Sequence, residues 1–92
     1  MTSFTVRVEL TQATYDDLER LHDMLIAKGY SNIIKDASGN RFYLPLKEYV
    51  LESDTTAGHV LQQVRSIAES VRPEPKVLVT EAASCHWFLP AM

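Results

Sequence analysis

Residues 4–29 read FTVRVELTQATYDDLERLHDMLIAKG, and this stretch decides the fold. Its first seven residues alternate. Phe4, Val6, Val8 and Leu10 fall on one side and Thr5, Arg7 and Glu9 on the other, the period of a strand buried on one face and polar on the other. The period then becomes that of a helix. Thr14 stands where an N-cap belongs, with Asp17 three residues on to close a variant of the capping box. Asp16, Asp17 and Glu19 occupy the first turns, where the helix dipole favours negative charge. Leu18, Leu21 and Leu25 predict the buried stripe, Lys28 lies in the last turn, and Gly29 supplies a left-handed stop.

Working outward, Tyr30 to Asp36 predicts a second strand around Ile33 and Ile34, and residues 37–40 a turn. Phe42, Leu44 and Leu46 alternate again, and Tyr49, Val50 and Leu51 continue that strand past a bulge or break at Pro45, which cannot donate to a ladder. Asp54, Thr55 and Thr56 offer caps for a second helix. Val60, Leu61, Val64, Ile67, Ala68 and Val71 recur in it at three- and four-residue steps, and Pro73 ends it at or before Arg72. Lys76 to Thr80 carries Val77, Leu78 and Val79, a last strand. The order β-α-β-β-α-β predicts an α+β domain of ferredoxin-like plan: a four-stranded antiparallel sheet with two helices on one face. Right-handed crossovers put the first and third strands centrally, and Leu21 and Val64 belong to the core.

Ninety-two residues with 46% hydrophobic and 23% charged side chains make one globular domain, 1–92, ending in an apolar tail over 83–92. Trp87, Phe88 and Leu89 in that tail are too apolar to stand in water. A second copy is the favoured cover, so a homodimer is expected. The single cysteine makes no internal disulfide. Nine basic and twelve acidic residues give a net charge of −3, against the strong positive excess of a general nucleic-acid binder. Residues 1–47 carry six acids and six bases, and residues 48–92 six acids and three bases, so a phosphate-facing surface should come from the first half. No signal-peptide pattern and no run of about 20 apolar residues occurs, which predicts a cytoplasmic protein without a membrane partner. Gly39 is a turn glycine, since no phosphate-loop spacing surrounds it. Cys85-His86 is an adjacent pair without the spacing of zinc ligands, and no metal or cofactor is expected.

The run from Phe4 to Leu10, the helix opening at Tyr15, Gly29-Tyr30-Ser31 leading into Ile33-Ile34, the Asp36-to-Gly39 turn, and Leu44-Pro45 before Glu48-Tyr49 together resemble the GhoS-type endoribonuclease antitoxin family of type V toxin–antitoxin systems. The resemblance covers residues 4–82. It implies a ferredoxin-like fold similar to Cas2, usually dimeric, and cleavage of single-stranded RNA, the message of a small membrane toxin. Two positions depart from the pattern. Arg20 matches one basic position of the first helix, but His22 stands where a second arginine is aligned. Glu9 is the acid nearest the end of the first strand, where Cas2-like nucleases tend to carry aspartate.

Metal-free RNA cleavage needs a base for the 2′-hydroxyl, an acid for the leaving oxygen and positive charge for the phosphorane. Histidine suits the proton transfers near neutral pH. Of His22, His59 and His86, His22 shares a helix with Arg20, so His22 and Arg20 are the candidate catalytic residues. Arg7 on the open sheet face, with Lys35 and Arg41 flanking the hairpin turn, are the candidate RNA-binding residues. The bland readings are a hydrogen-bonded boundary histidine, a helix-surface pair between Arg20 and Asp16, and a solvated hairpin tip. The first strand offers no aromatic for base stacking, which argues against binding in the manner of an RNA-recognition motif. Two functions stand: a single-stranded RNA endoribonuclease acting as an antitoxin, or a non-catalytic acidic module that inhibits or regulates a protein partner, as a phage-type inhibitor does. The second requires Glu48, Glu52, Asp54, Glu69, Glu74 and Glu81 to gather on one surface.

Overall fold

The computed structural model describes residues 1–90. The last two residues of the expected tail lie outside them. The chain is a mixed α+β domain of seven elements: β1 (Thr2–Glu9), α1 (Tyr15–Ala27), β2 (Ile33–Lys35), β3 (Arg41–Tyr43), β4 (Glu48–Ser53), α2 (Ala57–Val71) and β5 (Lys76–Ala82). β1 is the middle strand of a three-stranded antiparallel sheet of order β4-β1-β5, with Val6 opposite both Tyr49 and Val79. Phe4, Val6 and Val8 face the helices and are buried with Leu21 and Leu25 of α1, and with Val60, Val64, Ile67 and Ala68 of α2.

The expected four-stranded sheet does not form. β2 pairs with β3 in a separate two-stranded ribbon, and the ribbon's stem touches the main sheet through a single bridge between Ser31 and Val50. The expected long strand from Phe42 to Leu51 is two strands, β3 and β4. Pro45 has no N–H to give a ladder, and Lys47 takes a left-handed backbone angle, φ 70°. β3 and β4 both run antiparallel to the β2 segment, so the chain keeps its direction but breaks between them, at the expected place, in a turn closed by Glu48 N–H donating to the Pro45 carbonyl at 3.2 Å.

Both ends of α1 form as their residues dictate. The Thr14 hydroxyl accepts from Asp17 N–H at 3.2 Å, and Thr14 N–H donates to the Asp17 carboxylate at 3.1 Å, a complete capping box. At the other end Lys28 is the C-cap, beyond the last turn. Gly29 N–H donates to the Ile26 carbonyl, and Tyr30 N–H to that of Leu25, with Gly29 at φ 95°. That geometry turns Tyr30 into the core, where its hydroxyl donates to Gln63 of α2 at 2.7 Å. Leu18 does not join the stripe; it is 43% exposed, as Leu61 of α2 is at 39%. Each lies at the margin of its helix's apolar arc, outside the contact of the helix layer with the sheet.

The two connections at one end of the sheet are tied together by Arg72, the C-cap of α2. Its guanidinium donates to the Gln12 carbonyl at 2.9 Å and lies 3.7 Å from Asp17. Asp17 is held below the ordinary aspartate range, first by the Thr14 backbone N–H and then by its side chain, Arg72 and Arg20. Asp36 is lowered likewise by the Asn40 side chain and by backbone N–H groups of its own turn. A carboxylate with a depressed folded-state value stabilises the fold above its unfolded value, near pH 4, and loses that contribution as pH falls through the folded one. Urea midpoints measured from pH 6 down to pH 2 should therefore fall more steeply for the natural chain than for the D17N/D36N double variant. Equal slopes would remove these two groups as the cause.

Candidate functional site

α1 places the two candidate catalytic residues on different sides. Two steps along a helix turn a side chain by roughly 200°, so Arg20 and His22 leave α1 in different directions. Arg20 points to solvent and lies 3.8 Å from Asp17, one turn earlier, and not in the expected pair with Asp16. His22 turns toward the sheet. Its Nδ1 is 2.8 Å from the hydroxyl of Tyr49, a buried residue of β4, and the two rings lie 5.8 Å apart. Burial pushes the Tyr49 hydroxyl above its usual value, so it stays protonated at neutral pH. This pairing fixes the imidazole by one nitrogen and leaves Nε2 without a protein partner among the described residues. Tyr49 is the residue that sequence reasoning missed. It sits 27 positions from His22, and only the pairing of β4 with β1 brings it under α1.

Arg7 is on the helix-free face of the sheet, as its alternation requires. There it meets Glu9 at 3.3 Å and Glu48 at 3.6 Å, while Lys47 lies 3.8 Å from Glu9. Arg7 is thus already compensated by two carboxylates. Lys35 and Arg41 are cross-strand partners at the open end of the β2–β3 ribbon, both exposed, and neither joins an ion pair among the described residues. Asp36 organises the turn between them, accepting from Ser38 N–H and Asn40 N–H, each at 2.9 Å.

The tail divides. Trp87 folds back on its own chain, its ring 5.8 Å from that of Phe42 and steeply inclined to it, whereas Phe88 is 94% exposed. Trp87 and Cys85 close one side of a cleft of about 450 Å³. Ile33, Ile34 and Lys35 of the ribbon line its other side, and Thr5, Val50 and Glu52 its sheet side. The cleft exists because β2 leaves the edge of β4 after one bridge. It opens on the sheet's far side from His22, since Thr5 and Val50 alternate with the core-facing Phe4, Val6 and Tyr49.

Among the described residues no three His, Cys, Asp or Glu side chains gather as metal ligands, and no helix is long and apolar enough to cross a membrane. The acids of residues 48–92 do not share a surface. Glu48 and Glu52 lie on the open face, Glu81 is opposite the core-facing Phe4, and Glu69 pairs with Arg65 on α2. No protein-family model matches this chain, and no curated protein matches it.

Proposed function

We propose that this chain is a single-stranded RNA endoribonuclease of the antitoxin type, with His22 as the group that moves the proton. The observation that carries the reading is the His22–Tyr49 pair: a ring anchored through Nδ1 at 2.8 Å, with Nε2 left for a substrate. Such an anchored imidazole is a general acid or base whose tautomer is set by the hydrogen bond on its other nitrogen. With Nδ1–H donating to the Tyr49 oxygen, Nε2 takes the proton of the 2′-hydroxyl as that oxygen attacks phosphorus. The imidazolium so formed then returns a proton from Nε2 to the leaving 5′-oxygen, which restores the neutral ring.

The resemblance over residues 4–82 supplies the substrate class, a toxin message. The ferredoxin-like plan belongs to the same proposal. What supports it is the order β4-β1-β5 and the Ser31–Val50 bridge, which on this reading stands for an edge strand reduced to one bridge. Arg20 is assigned a contact to a phosphate away from the scissile one. The homodimer is retained as part of the proposal, with exposed Leu78 on the open face and Phe88 in the tail as its apolar contacts. The dispersal of the acids weighs against the acidic protein-binding alternative.

Incubation with a panel of single-stranded RNAs, with and without chelator, tests the reading. Cleavage that survives chelator and leaves a cyclic phosphate is the expected result. Intact RNA beside a chain that is folded by circular dichroism removes the catalytic reading. A monomer by light scattering removes the dimer.

A further inference from the structure

We infer that the cleft between the β2–β3 ribbon, the β4 edge and the tail is a binding site for single-stranded RNA, in which Trp87 stacks one base and Lys35 with Arg41 holds the adjoining phosphates. The inference rests on the RNA reading above and names a site that reading does not use. It combines three observations. The cleft, about 450 Å³, is of the size that takes a small organic ligand. Its wall carries the aromatic ring that the first strand lacks. Trp87 reaches the helix-free face from the tail, and its contact with Phe42 holds the indole there. Base stacking on such a ring is tolerant of sequence and strong for its area.

Charge complementarity supplies the third observation. Of the nine lysines and arginines, Arg7, Arg20, Lys47, Arg65 and Arg72 each face a carboxylate. Of the cations without one among the described residues, Lys35 and Arg41 are the two set side by side, and Lys35 lines the cleft itself. In a chain of net charge −3 they are neighbouring cations without an ion pair among the described residues, at the ribbon end beside the Asp36 turn, where a phosphate backbone can meet them. Glu52, the acid in the lining, lies on the other side of the Ser31–Val50 bridge from Lys35, because the two segments run antiparallel. The phosphates are thereby directed to the ribbon end. The carboxylate is left to accept a hydrogen bond from an amino-bearing base edge.

The chain has one tryptophan, so its fluorescence reports this cleft alone. Titrating the full chain with a 2′-O-methyl RNA decamer, which cannot be cleaved through a 2′-hydroxyl, should quench that fluorescence to saturation. The affinity should fall with added salt. Trp87→Ala, read by anisotropy of labelled RNA, should bind about ten- to a hundredfold more weakly, while Trp87→Phe stays within a few-fold of the natural chain. The K35A/R41A double variant should weaken binding and flatten the salt dependence by about one phosphate contact per residue removed. Bound decamer with unchanged tryptophan fluorescence overturns the inference, as does a salt dependence unaltered in K35A/R41A. The two readings fail separately. RNA cleavage with a silent tryptophan sinks this site and leaves the endoribonuclease standing. Quenching by the decamer, with no cleavage of unmodified RNA, supports the site and sinks the catalytic role.

Discussion

Phe4→Ala should destabilise the domain by about 3–5 kcal/mol, the usual cost of deleting a buried aromatic ring. Phe4 is 1% exposed and lies in the middle strand, between Leu51 of β4 and Glu81 of β5. Its ring belongs to the cluster that seals both helices onto the sheet. A ring removed there leaves a void that neither neighbour can fill, because β1 is hydrogen-bonded on both edges and cannot shift inward. Against a whole-domain stability of about 5–15 kcal/mol, this is a large share. The melting temperature should fall by about 12 °C or more. Leu18→Ala is the matched control. Leu18 is largely exposed, and its truncation should stay near 0.5 kcal/mol. Equal losses for the two variants would mean that the alternation along β1 does not define the buried face.

His22→Gln should slow RNA cleavage by about 10²–10⁴-fold, the range typical of a lost general acid or base. Glutamine is chosen because its amide can still meet the Tyr49 hydroxyl. The fold then keeps the partner that alanine would remove, and a buried hydroxyl is not left unpaired at a cost of about 1–3 kcal/mol. Tyr49→Phe is the companion variant. It keeps the imidazole and frees its Nδ1. Cleavage should persist at a reduced rate, with the pH profile displaced, because Tyr49 positions the ring without touching RNA. His22→Gln cleaving at the natural rate would take His22 out of the mechanism. Arg20→Ala should cost far less, since Arg20 faces solvent beside Asp17.

Much of the fold was legible because its signals are local. The alternation from Phe4 to Glu9 needs only the pleat of a strand. The Thr14–Asp17 box and the Gly29 stop need only backbone donors and acceptors within six residues. The candidate site was legible only as residue types. His22, Arg20, Arg7, Lys35 and Arg41 could be named from charge and chemistry, but their partners could not. Arg7 gained Glu48 across a strand pair, and His22 gained Tyr49 through helix-on-sheet packing. Alternation also misread residues 42–51 as one strand. The apolar period continues through Pro45, while the strand is interrupted by a turn in which Lys47 takes the left-handed region.

The sequence by itself determined the two capped helices, the buried face of β1, the core membership of Leu21 and Val64, and the absence of a stacking aromatic on the first strand. These follow from periods and caps, which act over one or two turns of chain. Tertiary structure alone decided that the ribbon leaves the sheet after the Ser31–Val50 bridge, that Tyr49 holds His22, and that Trp87 returns to stand beside Phe42. Those contacts join residues 19 to 45 positions apart. Which of the competing apolar and hydrogen-bonding partners meet at such separations is set by how the layers pack, and no local period records it.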